Sequence, residues 1–397
     1  MCIIEEHYYT RINKFLLKAL GIWPYDRSRL VLLQRVLIII SVVTYIFMQL
    51  SIFITSRYDM ALFTKTMSVA FFFILIIIKY CFFILKSRSI KNLHYQIQKD
   101  WMILRDKFES ETIQKYAHYG QYYTILLFLF SSFIAISVIL IQLYPLILDY
   151  ISPLDEPRPF KLLVTMEYFV SQDKYVYIKL LHEIVIALLC GSMILATSTQ
   201  LLIFTFHSFG MFKIASHRVR YSIEDSVLHT SNLTKERAIC QNIIYAVIAH
   251  RTAMKFSEFW VSTFNVPYCI LAIVGVFSLS ISIFSFLEAL TISKNMDNAA
   301  ISFLSTMSHL LYMFVANFIG QKITDYNNDI FRMVYGTSWY LMPIPSQKLI
   351  LFLMQKTGKE FNLKIGFILE AKIENFTTVR SIKKQINNRI LLICVQC

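Results

Sequence analysis

Residues 61–85 read ALFTKTMSVAFFFILIIIKYCFFIL. Lys65 and Lys79 are the only charges in these 25 residues. As a helix rising about 1.5 Å per residue, the stretch is about 37 Å long, enough to cross about 30 Å of hydrocarbon. Both lysines fall towards the span's ends, where long stems are expected to snorkel to the interface.

Five more segments read the same way: 30–54, 123–148, 176–206, 262–290 and 299–320. A seventh apolar stretch begins near Leu349 and continues unevenly past Phe361. Of the 397 residues, 56% are hydrophobic and 16% charged, and mean hydropathy is +0.54. That excludes a disordered chain and a soluble core with a polar shell. The polar segments 86–121 and 211–261 are helix-patterned, so they read as extensions of membrane helices. The chain therefore reads as one all-α membrane domain, residues 1–397, with seven transmembrane helices.

Net charge is +14, and its placement sets orientation. Alternate inter-span segments on one side carry 21 Lys/Arg, against five on the other. Lys/Arg excess marks the cytoplasmic side, so the N-terminus is inside and the seventh span ends outside. No basic stripe with interleaved aromatics points to nucleic acid. A G-protein-coupled receptor would face the opposite way. No Asp-Arg-Tyr ends the third span, and no Asn-Pro-x-x-Tyr occurs in the seventh.

The sequence contains no paired-histidine box, Gly-rich phosphate loop or GxSxG, so neither an enzyme nor a cofactor is expected. The seven cysteines show no metal spacing. Asp325 and Asp329 read as solvated helix residues rather than a cation site. Lys179 and Glu183 are i,i+4 in the outer turn of the fourth span, so they share one helix face. With His182 they line a ligand pocket or form an interfacial ion pair. From topology, the outer halves of the spans offer Phe71, Phe72, Ser137, Tyr144, His182, Ile186, Phe303 and Thr306 as ligand-binding candidates. Small-molecule sites are mostly apolar with a few polar anchors.

Tyr335-Gly336-Thr337-Ser338-Trp339-Tyr340-Leu341-Met342-Pro343, followed by Gln347-Lys348-Leu349, resembles the C-terminal signature of insect odorant receptors. Asn317-Phe318-Ile319-Gly320-Gln321-Lys322-Ile323, Phe212-Lys213-Ile214-Ala215 with Arg218, and Ala249-His250-Arg251 are similar to that family too. Leu20-Gly21-Ile22-Trp23-Pro24-Tyr25 and the loop from Glu167 to Tyr175 look like its hymenopteran members. The resemblance implies the insect odorant receptor ion-channel fold. It also implies an odorant- or pheromone-gated nonselective cation channel subunit. Such a subunit acts in a heterotetramer with the odorant receptor co-receptor, in the plasma membrane of olfactory-neuron dendrites. Volatile or hydrocarbon ligands are implied, and Tyr335, Trp339 and Tyr340 match the part of the motif where subunits meet. A gustatory receptor-like channel and a G-protein-coupled receptor are the alternatives.

The likeness stops near Val379. Residues 370–390 hold seven charges, and each central charge costs a lipid-facing span about 2.5–3.5 kcal/mol. The tail at about 381–397 is therefore atypical, as a spliced or read-through end or a truncated last helix would be.

Overall fold

The computed structural model describes residues 11–57, 59–104, 106–152, 164, 166–169, 175–228, 233–292, 294, 296–358, 364–365 and 369–370. Helix α1, Arg11–Ala19, is amphipathic and buries Asn13 and Leu17. Helix α2, Arg29–Leu50, starts where the Ser28 hydroxyl accepts the Val31 N–H, and one further turn, Ile52–Thr55, extends it outward. Helix α3 is Met60–Leu85, capped by Asp59, and α4 is Ser87–Met102. Helix α5, Lys107–Ile151, is capped by Asp106, whose carboxylate accepts the Glu109 N–H at 2.7 Å. Such caps satisfy amide groups that the first turn leaves unpaired.

Helices α6, Val176–Leu228, and α7, Leu233–Thr291, are the longest. Helix α8, Met296–Tyr335, leads through a 3₁₀ turn, Trp339–Leu341, into α9, Ile344–Thr357. A two-residue antiparallel pairing, β1 Lys364–Ile365 with β2 Leu369–Glu370, follows. Among the described residues, six helices are long and apolar enough to cross a membrane, and they coincide with the six spans read from sequence. As expected, the polar segments prolong these helices, except that 87–102 forms its own helix. The expected seventh span begins within α9. Its 14 residues reach about 21 Å, and residues 371–397, including the atypical tail, lie outside the described residues.

Helices α6 and α7 pack along each other at the centre; α5 flanks α6, while α3 and α8 flank α7. Leu126, Leu129, Phe133, Ile136 and Leu140 on α5 are exposed, as lipid-facing residues should be. The cytoplasmic half holds a dense core of Phe204, Phe212, Phe256, Ile243, Ile323, Ile330 and Ile350. Ala246 and Ala253, two turns apart on α7, are fully buried in it. At Gly210 the helices approach closely: a Cβ there would stand 2.7 Å from Ile113 Cδ1, so the end of that side chain would have to shift.

Buried polar pairs sew this half together. Arg218 on α6 donates two hydrogen bonds to the Glu109 carboxylate on α5, the second at 2.6 Å. His207 meets Asp100 at 3.0 Å, His250 meets Asn327 at 3.0 Å, and His94 meets Gln200 at 2.9 Å. Burial drives His94 down to about 3 despite the Gln200 hydrogen bond, so its ring is neutral at physiological pH. The Phe212, Arg218 and His250 motifs therefore earn their places as internal fasteners.

The turn after α1 is also fastened. Gly21 sits at φ 64°, in the left-handed region that favours glycine. The α1 C-terminus leaves carbonyls without helical partners. Gln34 donates to the Lys18 and Ala19 carbonyls, Tyr80 to Leu20 at 2.7 Å, and Arg35 to Gly21 at 2.6 Å.

Lys79 departs from expectation. It does not snorkel: it is buried and donates to Ser198 Oγ on α6 at 3.0 Å.

Candidate ligand site and subunit anchor

In the outer half, aromatic and imidazole rings form a continuous layer across the bundle. Tyr168, in the segment before α6, places its hydroxyl 2.9 Å from His182 Nδ1 on α6. His182 stacks obliquely on Tyr45 of α2 at 5.6 Å, and Tyr45 meets Phe73 of α3 edge-on at 4.8 Å. Phe73 touches Phe72, and Phe72 meets His309 of α8 edge-on at 5.9 Å. His309 Nε2 shares a 2.7 Å hydrogen bond with Ser278 on α7. Five segments thus contribute to one layer. Edge-to-face pairs of this kind add about 0.5–1.5 kcal/mol each beyond area burial.

A hydroxyl seam borders the layer. Ser68 on α3 bonds Ser282 on α7 at 2.7 Å, and Ser282 bonds Ser305 on α8 at 3.1 Å. Ser285 and Ser302 pair at 2.9 Å. Positions 278, 282 and 285 repeat on one α7 face, as 302, 305 and 309 do on α8, so the contacts follow helical spacing.

The polar groups flagged in sequence cluster at one edge. The Lys179 ammonium lies over the Tyr168 ring at 5.3 Å. The Glu183 carboxylate accepts the Val164 N–H at 2.9 Å. Burial, followed by the Glu183 charge, pushes the Tyr168 hydroxyl up to about 12, so it keeps its proton at neutral pH.

The structure gathers some candidates and separates others. Phe72 and His182 belong to the ring layer. Ile186 is buried one turn below His182, and Thr306 is buried one turn from His309. Phe71 is half-buried beside Phe72. Ser137 is half-buried on α5 and bonds its own helix at Phe133 O. Tyr144 and Phe303 are exposed, Phe303 against Phe286. Tyr45, Tyr168 and His309 escaped the sequence reading. For His309 a signal existed, since an ionisable ring inside a span usually faces a partner or cavity.

At the inner end, the Gln347 amide donates to the Tyr340 and Met342 carbonyls, clasping the signature turn. Thr337 Oγ1 donates to Val334 O. Trp339 is half-buried against the core. Tyr335 and Tyr340 are exposed, as are Leu341, Ile344, Leu351 and Phe352 nearby. Asp325 accepts from Gln321 and Asp329 faces Arg332. Among the described residues no cluster of His, Cys, Asp or Glu could hold a metal ion.

This architecture is that of a multi-pass helical membrane receptor. The family model described as 7tm Odorant receptor matches residues 59–382, and the chain belongs to that odorant receptor family. Solved structures agree in fold. The insect olfactory receptor OR5 from Machilis hrabei in complex with eugenol aligns with a TM-score of 0.76 and 13% identity, covering 96% of this chain and 97% of the other. A second structure of the insect olfactory receptor OR5 from Machilis hrabei aligns with a TM-score of 0.70 and 10% identity, covering 96% of each chain. No curated protein sequence matches.

Proposed function

We propose that the chain is the odorant-binding subunit of a ligand-gated, nonselective cation channel. It works in a heterotetramer with the odorant receptor co-receptor, in the plasma membrane of olfactory-neuron dendrites. The observation that carries this reading is the layer from Tyr168 through His182, Tyr45, Phe73 and Phe72 to His309. It lies in a chain of the odorant receptor family. Its apolar ring faces and few polar anchors match the chemistry of small organic ligands. The eugenol complex of the structurally similar receptor supports a small, largely apolar ligand here.

Phe71, Phe72, His182, Ile186 and Thr306 contact the ligand from inside the bundle. Ser137, Tyr144 and Phe303 stand further out and meet it on its way in. Ligand binding shifts the gate because the open state holds the ligand more tightly. Tyr335, Trp339 and Tyr340 carry the subunit contact, since the exposed Tyr335 and Tyr340 rings, the half-buried Trp339 and their apolar neighbours offer a face for another subunit. The test is expression with and without the co-receptor, against odorants and cuticular hydrocarbons. Ligand-evoked cation currents that need the co-receptor and survive block of G-protein signalling are expected. Currents that vanish with that block would overturn the channel reading.

A further inference from the structure

Lys79 has no part in the ring layer. Its ammonium donates to Ser198 Oγ on α6 at 3.0 Å and lies 5.2 Å from the centre of the Tyr312 ring on α8. The residue is 8% exposed, with Ile76 and Phe83, one turn to either side, buried in the apolar core. Among the described residues no carboxylate stands within ion-pair reach of it. Helix α3 contains no acidic residue. The nearest acids along the partner helices are Glu183 on α6 and Asp325 on α8, each about 20 Å along its axis from the contact point at about 1.5 Å per residue. An ammonium has three donors, and here one neutral hydroxyl accepts. A buried charge is heavily penalised unless it is paired and hydrogen-bonded, and among the described residues its polar partner is this one hydroxyl, so an anionic oxygen would complete the site.

Its position indicates which anion. Phe72, Ile76 and Lys79 fall on one face of α3, and His309 and Tyr312 on one face of α8. The contacts Phe72–His309 and Lys79–Tyr312 are two rungs of one seam, about 10 Å apart along α3 and about 5 Å apart along α8. Tyr312 is 42% exposed, so the α8 side of the lower rung borders the bundle surface while Lys79 itself stays buried. We propose that Lys79 binds the carboxylate of an acyl-chain acid whose tail runs up this seam to the ring layer. This rests on the ligand-gated reading above and gives it a ligand class. An acidic phospholipid would present the same kind of anionic oxygen, so the experiment separates the two sources.

Full-length receptor with its co-receptor is challenged with decanoic acid, methyl decanoate and decanol. Wild type responds to the acid. In Lys79→Gln the half-maximal acid concentration rises by about tenfold or more, while responses to ester and alcohol move by less than about threefold; Lys79→Arg keeps the acid response. Unchanged acid sensitivity in Lys79→Gln, or a wild type that answers ester and alcohol but not acid, overturns the proposal. Silence to every compound would count against the gating reading alone, so binding is also measured. Native mass spectrometry of the purified chain should show bound decanoate that Lys79→Gln loses. Absence of decanoate from wild type, or a co-purified acidic phospholipid that decanoate fails to displace, refutes a free-acid ligand. Surface labelling and monodisperse elution confirm that the variants fold.

Discussion

Replacing Arg218 by Ala is the sharpest test of the cytoplasmic half. Glu109 is 1% exposed at its side chain and Arg218 14%. Two N–H groups of one guanidinium meet both oxygens of one carboxylate, joining α5 to α6. Removing the guanidinium takes both of these hydrogen bonds from a buried carboxylate, which costs up to about 3–5 kcal/mol. Arg218→Lys recovers only part, because an ammonium cannot make the forked contact. Removing both charges, Glu109→Leu with Arg218→Met, should return close to wild type, since apolar replacement of a buried pair is often neutral or better. Surface abundance of tagged full-length receptor and its thermal half-life in detergent report the effect. A loss of about 1–2 kcal/mol already changes abundance several-fold, so Arg218→Ala should be nearly absent from the surface. If Arg218→Ala stays within about 1 kcal/mol of wild type, or the double variant is as poor as the single, the reasoning fails.

Phe72→Ala should raise the half-maximal concentration of an apolar odorant about 10- to 100-fold through lost ring contact in the layer, read as dose–response currents. Tyr80→Phe removes the buried donor to the Leu20 carbonyl and should cost about 1–2 kcal/mol, read as thermal half-life. Tyr335→Ala with Tyr340→Ala should leave the monomer folded but reduce co-assembly, read by co-purification with the co-receptor. An undiminished complex would remove these rings from the subunit contact.

The membrane spans were legible because an apolar run of span length has few other fates. Residues 61–85 and 262–290 announce their helices without help from tertiary context. The signature near Trp339 was legible as a pattern, but its physical basis was not. Gln347 closes the turn by reaching back to the Tyr340 and Met342 carbonyls, and no local rule pairs those positions. The ring layer was only half visible. Phe72 and His182 stand out on their own spans and His309 carries the signal of an ionisable ring inside a span, whereas Tyr45 matters only because the fold brings it to the height of His182 and Phe73. Lys79 misled most: in sequence a lysine near a span's end reads as snorkelling, and only the positions of Ser198 and Tyr312 show it turned inward.

The fastening of the N-terminal turn carries an implication for how the chain is made. The Leu20 carbonyl emerges from the ribosome early, yet its donor, Tyr80, follows 60 residues later. Gln34 and Arg35, which hold the neighbouring carbonyls, stand on the first span. The segment around Leu20 must therefore wait on the cytosolic side until the two helices carrying these donors have been threaded into the bilayer, and only then dock. An amino-terminal fusion bulky enough to delay that docking would impair biogenesis while leaving the finished receptor's ligand chemistry untouched.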